Sequence, residues 1–323
     1  MTELQQVLFR LEADYYGHPY HVTGHALYTA IARRVNAATR QALCVSHGVF
    51  VPGEHGAYPE THPRSDGVPY FGTGLRPVET YDDLFLFRDP VQPWLADDRP
   101  RDAHNSQPLR SHGGRRTVGP TRWFGRPPDA HNSRRSMTWY VHCYLHVDTG
   151  SETAAVQFPL DEAVLDELRV GGGRNFGFGE LSLKDTQVVA LSDIEYPRLE
   201  AADAYVLELV SPYVLASEYP GAEAQSVPWW WAVPGDVAGD GLRRRETQFA
   251  VGDTVHAVET VDHGQVVWYD GSDPVATARN GLVRVGTHSK YGFGELRVRP
   301  AADVAVPAAP GVDETPATTG GDR

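Results

Sequence analysis

Apolar and polar positions alternate most clearly from Met137 to Asp148. Met137, Trp139, Val141, Cys143, Leu145 and Val147 share one face, and Thr138, Tyr140, His142, Tyr144, His146 and Asp148 share the other. A period of two predicts a β-strand. Val7–Asp14 alternates in the same way, with Phe9, Leu11 and Ala13 opposite Arg10, Glu12 and Asp14, and predicts a half-buried strand. After the turn-like Tyr16-Gly17-His18-Pro19 the period changes. Leu27, Ile31, Val35 and Ala38 fall on one face of a helix that Thr23 caps and that runs to about Thr39. Arg33, Arg34 and Arg40 lie toward its C-terminal end, where the helix dipole favours cations.

From roughly Val51 to Arg135 the periodicity disappears and Pro, Gly, Asp, His and Arg dominate. The stretch is too long for an ordinary connection and reads as an insertion or a functional loop. Asp-Ala-His-Asn-Ser occurs twice within it, at Asp102–Ser106 and Asp129–Ser133. Beyond it, Asp161–Leu168 predicts a short helix with Val164, Leu165 and Leu168 inward, and Leu181–Val189 predicts a strand.

A second half begins near Ala201. Tyr205–Ser211 reads as a strand, and Pro212–Arg245 is irregular, with Trp229-Trp230-Trp231 expected to divide between core and interface. Val255–Val261 and Gln265–Tyr269 flank Asp262-His263-Gly264 and predict a hairpin. Pro274–Asn280 predicts one or two helical turns and Leu296–Val298 a strand. Ala301–Arg323, rich in Ala, Pro, Thr, Gly and Asp, is expected to be a disordered tail.

A repeat ties the halves together. Arg169–Leu183 and Arg284–Val298 match without a gap at eight of fifteen positions, and both carry Gly-Phe-Gly-Glu-Leu. Each phrase follows a helix and precedes a strand. That is the reverse of a dinucleotide-binding turn, and no Gly-Lys-Ser/Thr follows, so nucleotide phosphate loops are excluded. Two copies suggest two similar domains. The order strand, helix, strands, helix, glycine loop, strand fits a βαββαβ unit. The expected fold is therefore α+β: tandem ferredoxin-like (RRM-like) domains over residues 1–200 and 201–300, with an insertion at 51–135 and a tail at 301–323. The second copy shows no first helix and is degenerate or rebuilt.

Composition adds the solvent. There are 42 acids against 29 bases, a net charge of −13, and only Lys184 and Lys290 are lysine. This acidic, arginine-using composition is similar to that of proteins from salt-loving archaea. Near 1 M salt the Debye length is about 3 Å, so a nucleic-acid binder there depends on short-range contacts: bidentate arginine, backbone N–H groups and stacking. With no apolar run of membrane length and no signal peptide, a soluble cytoplasmic protein is expected. Two cysteines, Cys44 and Cys143, build neither a disulfide framework nor a four-cysteine zinc site.

The glycine phrases carry a resemblance. "VGGGRNFGFGELSL" resembles the hallmark loop of the RAMP superfamily of CRISPR-Cas proteins, and "VGTHSKYGFGELRV" resembles it with fewer glycines. "HVTGHALYTAIARR" resembles the superfamily's first helix. The resemblance implies binding of CRISPR RNA in company with other Cas or RAMP subunits. It leaves the insertion unmatched. Gly171, Gly172, Gly173 and Gly177 let the backbone approach a phosphate, and successive N–H groups form an anion nest. Arg174, Asn175, Phe176, Gly286, His288, Ser289, Lys290 and Tyr291 are the accompanying RNA-binding candidates. The alternative is that both phrases are tight turns packed for shape.

Three further groups bear on this expectation. Between Arg110 and Arg135 stand seven arginines and one acid, so Arg115, Arg116, Arg134 and Arg135 suit an arm on RNA or a partner subunit, or a solvated loop. RAMP endoribonucleases that cut repeats without metal place Tyr or His near the first helix, which makes His21 and His25 catalytic candidates beside their reading as turn residues. His21 and His25, like His142 and His146, lack a third ligand, so neither a metal nor a cofactor is expected. The row Tyr140, His142, Tyr144 and His146 either stacks on RNA or lies under a loop. The functional expectation is a guide-RNA-binding subunit. Its alternatives are a metal-independent repeat endoribonuclease, and a RAMP-like RNA-binding protein of a system without CRISPR arrays.

Overall fold

β1 (Glu3–Leu11) lies inside its sheet, and its neighbours set the architecture. The computed structural model describes residues 2–304 apart from 14, 16, 18–20, 54, 58–60, 64–68, 72–73, 90–109, 113–114, 118–137, 149–154, 221, 233–240 and 252–253. β1 pairs antiparallel with β11 (Glu180–Ala190) on one side and β9 (Trp139–Val147) on the other. β9 also pairs with β3 (Leu43–Val45) and β4 (Gly48–Pro52). β2 (His21–Val22) flanks β4, and β10 (Leu168–Arg169) flanks β11. The crossovers carry α1 (Gly24–Ile31), α2 (Ala37–Ala42) and α3 (Glu162–Leu165). Last strand, first, third, second is the ferredoxin-like order.

The alternation of β1 and β9 sorts two cores. Val7, Phe9, Val141, Cys143 and Leu145 pack under Leu27 and Ile31 of α1 and Leu165 of α3. Leu4 and Tyr144 face the other way, against Tyr81, Leu84 and Phe85. Those last residues belong to a strap inside the expected insertion. Tyr81–Phe85 form a 3-10 turn closed by a capping box between Thr80 and Asp83. The strap covers the sheet face that carries Tyr140, His142, Tyr144 and His146, all four of which are buried. Elsewhere in the insertion, β5 (His55–Ala57) pairs with β6 (Pro69–Phe71) and β7 (Arg110–His112) with β8 (Arg115–Thr117).

In the second half, β18 (Leu296–Pro300), β12 (Tyr205–Leu209), β17 (Val266–Tyr269) and β14 (Trp231–Ala232) repeat the same order. α4 (Pro197–Glu200) leads into this half and α5 (Pro274–Leu282) precedes its glycine loop. In place of a first helix stands a sheet of β13 (Tyr213–Ser217), β16 (Thr254–Val261) and β15 (Arg244–Val251). The two halves share a core: Leu4, Tyr81, Tyr144 and Val189 pack in one cluster with Leu207, Leu209, Leu282 and Leu296. Among the described residues no helix is long and apolar enough to cross a membrane.

Five expectations change. The helix from Thr23 stops at Ile31, because Asn36 caps a new one: its side chain accepts from the Thr39 N–H at 2.8 Å. The first strand starts at Glu3 and ends at Leu11, since Gln5 and Gln6 are buried through side-chain hydrogen bonds that apolar alternation does not register. Asp262-His263-Gly264 does not close a hairpin: β16 pairs with β13 and β15, whereas β17 pairs with β12 and β14. The turn carries the chain between sheets, held by the Gly264 N–H on the Leu209 carbonyl. The irregular stretch Pro212–Arg245 contains β13, β14 and the start of β15. Of the tail, Ala301–Asp303 form a 3-10 turn with Asp303 paired to Arg198, and residues 305–323 lie outside the described ones.

Candidate nucleic-acid interface

The two glycine phrases have one backbone. At the neck of each loop the Val170 N–H meets the Gly179 carbonyl at 2.9 Å, and the Val285 N–H meets the Gly294 carbonyl at 3.0 Å. Gly179 and Gly294 have φ of +68° and +77°, and a Cβ on either would lie 1.9 Å from the Val170 or Val285 carbonyl oxygen. Only glycine fits there. One 3-10 turn follows the neck, Arg174–Phe176 in the first loop and Ser289–Tyr291 in the second. Left-handed residues bracket each turn: Gly173 and Gly177 in the first loop, His288 and Gly292 in the second.

Their surroundings differ. In the first loop Asn175, Phe176, Gly177 and Phe178 are exposed, Phe176 at 73%, and a Cβ on Gly177 would meet nothing within 4 Å. Gly171, Gly172, Gly173 and Arg174 are half-buried. Arg169 and Glu180 form an exposed ion pair at 3.3 Å. The loop stands at the end of the sheet where Leu11 faces Leu181 and Arg10 faces Tyr140. The chain re-enters the described fold at Thr138, at this same end, with Pro52 opposite Trp139. Arg115 and Arg116 lie on β8. Arg134 and Arg135 lie outside the described residues.

The second loop is seated on the first half. A Cβ on Gly24 would lie 2.3 Å from the Tyr291 carbonyl oxygen, and one on Gly292 would lie 2.4 Å from His47 Nδ1. Lys290 Nζ donates to the Arg40 and Gln41 carbonyls at 3.1 and 2.7 Å and lies 5.0 Å over the Tyr28 ring. The Tyr291 ring stands edge-on to His25 at 5.4 Å and to Tyr28 at 5.1 Å. Arg284, the counterpart of Arg169, is buried, donates to the Ser289 carbonyl at 2.8 Å and meets His146 Nδ1 at 2.9 Å. Glu295, the counterpart of Glu180, is fully buried and takes Arg88 of the strap at 2.7 and 2.9 Å. Arg88 also donates to Ser46 Oγ and the His47 carbonyl. Next along β18, Arg297 joins Asp89 and Asp82 of the same strap.

A strip of titratable side chains follows this seam. His288 Nε2 lies 2.8 Å from Ser217 Oγ, and its ring is 5.6 Å from Tyr219, which also meets His256 at 5.3 Å. Burial, with His288 adding its repulsion, lowers the His25 pKa to about 4. Burial also lowers His288 and Lys290 and pushes the Tyr291 hydroxyl up to about 12. Behind the strip, burial and then Arg284 take His146 down to about 2, and burial and then Arg88 hold His142 well below its ordinary value.

His21 and His25 are not a pair on one helix, because His21 lies in β2, ahead of the Thr23 cap. His21 stacks on His47 at 4.3 Å and meets His263 edge-on at 6.4 Å. His47 Nδ1 accepts from the Gly24 N–H at 2.8 Å. Among the described residues no group of three His, Cys, Asp or Glu is placed to hold a metal. Sequence reasoning missed the strap residues Asp82, Arg88 and Asp89. The signal was present: Tyr81, Leu84, Phe85, Leu86 and Phe87 are five apolar side chains within seven positions of an otherwise polar stretch.

No family model matches the chain, and no curated protein matches it. Eight chains of solved structure match. One, described as "CRISPR associated protein Cas6", aligns with 92% of this chain and 98% of its own at 9% identity and a TM-score of 0.35. A likeness of that degree carries no function across.

Proposed function

We propose that this protein is a RAMP-type, CRISPR-associated RNA-binding protein that grips the repeat-derived part of a guide RNA as a subunit of a ribonucleoprotein complex. The observation that supports this is the exposed tip of the first loop, with Asn175, Gly177 and Phe176, the last 73% exposed, on a backbone that its twin uses for docking. An exposed aromatic face offers base stacking, a contact that survives high salt. Arg174 and Asn175 flank that face, and the arginine-rich segment rejoins the fold at the same sheet end. RNA recovered with the purified protein is expected to carry repeat sequences. Recovered RNA without repeats favours a system lacking CRISPR arrays, and no RNA at all sinks the proposal.

The strip at the seam favours a second reading, metal-independent cleavage of repeat RNA. Burial lowers the pKa of both His25 and His288, which lie near Lys290 and two tyrosines. One imidazole would take the proton of the attacking 2′-hydroxyl, another group would donate to the leaving oxygen, and Lys290 would steady the charge. His21, stacked on His47, stands apart from this strip. The discriminating experiment incubates the protein with repeat RNA in EDTA at molar salt. Binding without cutting supports the first reading. Cutting that His25→Ala abolishes and His21→Ala leaves intact supports the second.

A further inference from the structure

We propose that the aromatic row Tyr205, Tyr269 and Trp230, with Trp229 at its end, is a groove for a Pro-x-x-Pro segment, and that its occupant is Pro307-Ala308-Ala309-Pro310 of the same chain. Its chemistry is independent of RNA binding.

The row follows from how the second half is built. β17 lies between β12 and β14, and Trp231 pairs with Tyr269. The rings of Tyr205 and Tyr269 have centroids 6.2 Å apart at 85°, and those of Tyr269 and Trp230 are 6.2 Å apart at 63°. Such steep angles leave notches between rings, and all three side chains are half-buried. The rings are held from behind. The Tyr205 hydroxyl donates to the Leu199 carbonyl at 2.8 Å, and the Tyr269 hydroxyl meets Thr277 Oγ1 at 2.9 Å. The Trp230 carbonyl accepts from the Asp270 N–H at 3.0 Å. Trp229 sits in a turn closed by the Trp231 N–H on the Pro228 carbonyl at 3.1 Å, and it is 79% exposed. An indole left that far in water forgoes burial that a partner would give it.

The chain itself brings the partner. β18 ends at Pro300, opposite Tyr205, and the Ala301 N–H donates to the Ala204 carbonyl at 2.9 Å. The 3-10 turn Ala301–Asp303, tied to Arg198 through Asp303, then carries the chain to Val304, close to the first ring of the row. Residues 305–311 read Ala-Val-Pro-Ala-Ala-Pro-Gly and carry no charge. A polyproline II segment rises about 3.1 Å per residue with about three residues per turn, so Pro307 and Pro310 share one edge about 9 Å apart. The six residues from Val304 to Pro310 reach about 19 Å, more than the two ring steps from Tyr205 to Trp230. Proline-rich segments dock in aromatic-lined grooves at little entropic cost, because their conformation is preformed. An uncharged segment also keeps its affinity where salt screens ion pairs.

The test puts a bimane fluorophore, which tryptophan quenches on contact, at position 311 through Gly311→Cys. Cys44 and Cys143 are buried and stay unlabelled. The labelled full chain should be quenched relative to the same label on a free peptide of residues 304–316. Quenching should persist at molar salt and withstand an excess of unlabelled protein. It should be lost when Pro307→Ser and Pro310→Ser are combined, a change that touches no described contact. It should lessen in Trp229→Phe, which replaces an exposed ring with one that does not quench. An unquenched parent, or quenching undiminished in either variant, overturns the proposal. Relief by unlabelled protein puts the segment on a second copy and overturns docking within one chain. Loss at molar salt assigns the contact to Asp313 and Glu314 and overturns the Pro-x-x-Pro groove.

Discussion

The two glycine loops are one backbone put to two uses. Identical residues fix what is common: the closed neck and the left-handed glycines. The residues that differ decide the use. Gly172, Gly173, Asn175 and Phe176 leave the first loop with few side chains and an exposed ring. Thr287, His288, Lys290 and Tyr291 give the second one groups that find carbonyls, hydroxyls and rings on its own chain. A repeat in sequence therefore implies a repeat in conformation, and the variable positions within it tell docking from display.

The sharpest break of this comparison lies at the paired acids. Glu295→Gln leaves the Arg88 guanidinium buried with half its partner gone, which costs about 3–5 kcal/mol. Glu180→Gln removes an exposed pair and costs under about 1 kcal/mol. Denaturant titration of both variants checks the contrast, and equal losses would end it. At the paired glycines, Gly292→Ala presses a Cβ onto His47 and adds left-handed strain, for about 2–4 kcal/mol. Gly177→Ala meets open space and carries the strain alone, about 1–2 kcal/mol.

Acidification sharpens the same difference, because the displaced imidazoles all lie on the second loop's side. His142 and His146 stay neutral in the fold, whereas in the unfolded chain they take protons near pH 6.5. The unfolded state therefore binds more protons below that value, and stability falls as pH falls. From pH 7 to pH 5 His146 contributes a loss of about 2 kcal/mol, and His142 acts in the same direction. Asp83, held at about 2 largely by His62 and backbone donors against its burial, loses its share only below the ordinary carboxylate range. Chemical denaturation at the two pH values is the measurement, with His146→Gln expected to remove one share of the slope. A flat profile would mean that these rings are not neutral in the fold.

Much of this was legible in the sequence, for reasons tied to particular residues. The alternation of Met137–Asp148 located the central strand, and the repeat located both loops, because backbone demands on glycine leave a mark at each copy. What alternation does not carry is what covers a face. Tyr140, His142, Tyr144 and His146 read as a polar face that either stacks on RNA or lies under a loop, and the strap and the second half bury them. The strap escaped notice because its apolar run is short and its ionic partners, Glu295 and Arg297, lie more than 200 residues away. The seat of the second loop was equally hidden: the Gly24–Tyr291 contact is set by tertiary packing, with no periodic trace.

The smallest expected effect on stability belongs to the residue on which the functional reading leans most. Phe176→Ala removes a ring that is already 73% exposed, so the unfolding free energy should move by less than about 0.5 kcal/mol. Its counterpart Tyr291→Ala removes a ring packed on His25 and Tyr28 and should cost about 1–3 kcal/mol. RNA affinity should follow the opposite order at the first loop. Stacking of one base is worth about 1–3 kcal/mol, so Phe176→Ala should weaken binding by roughly fivefold to a hundredfold. Phe176→Trp, which keeps a π-face, should retain it. If alanine and tryptophan bind RNA equally well, the exposed ring is not a stacking platform, and the difference between the loops would then be one of packing alone.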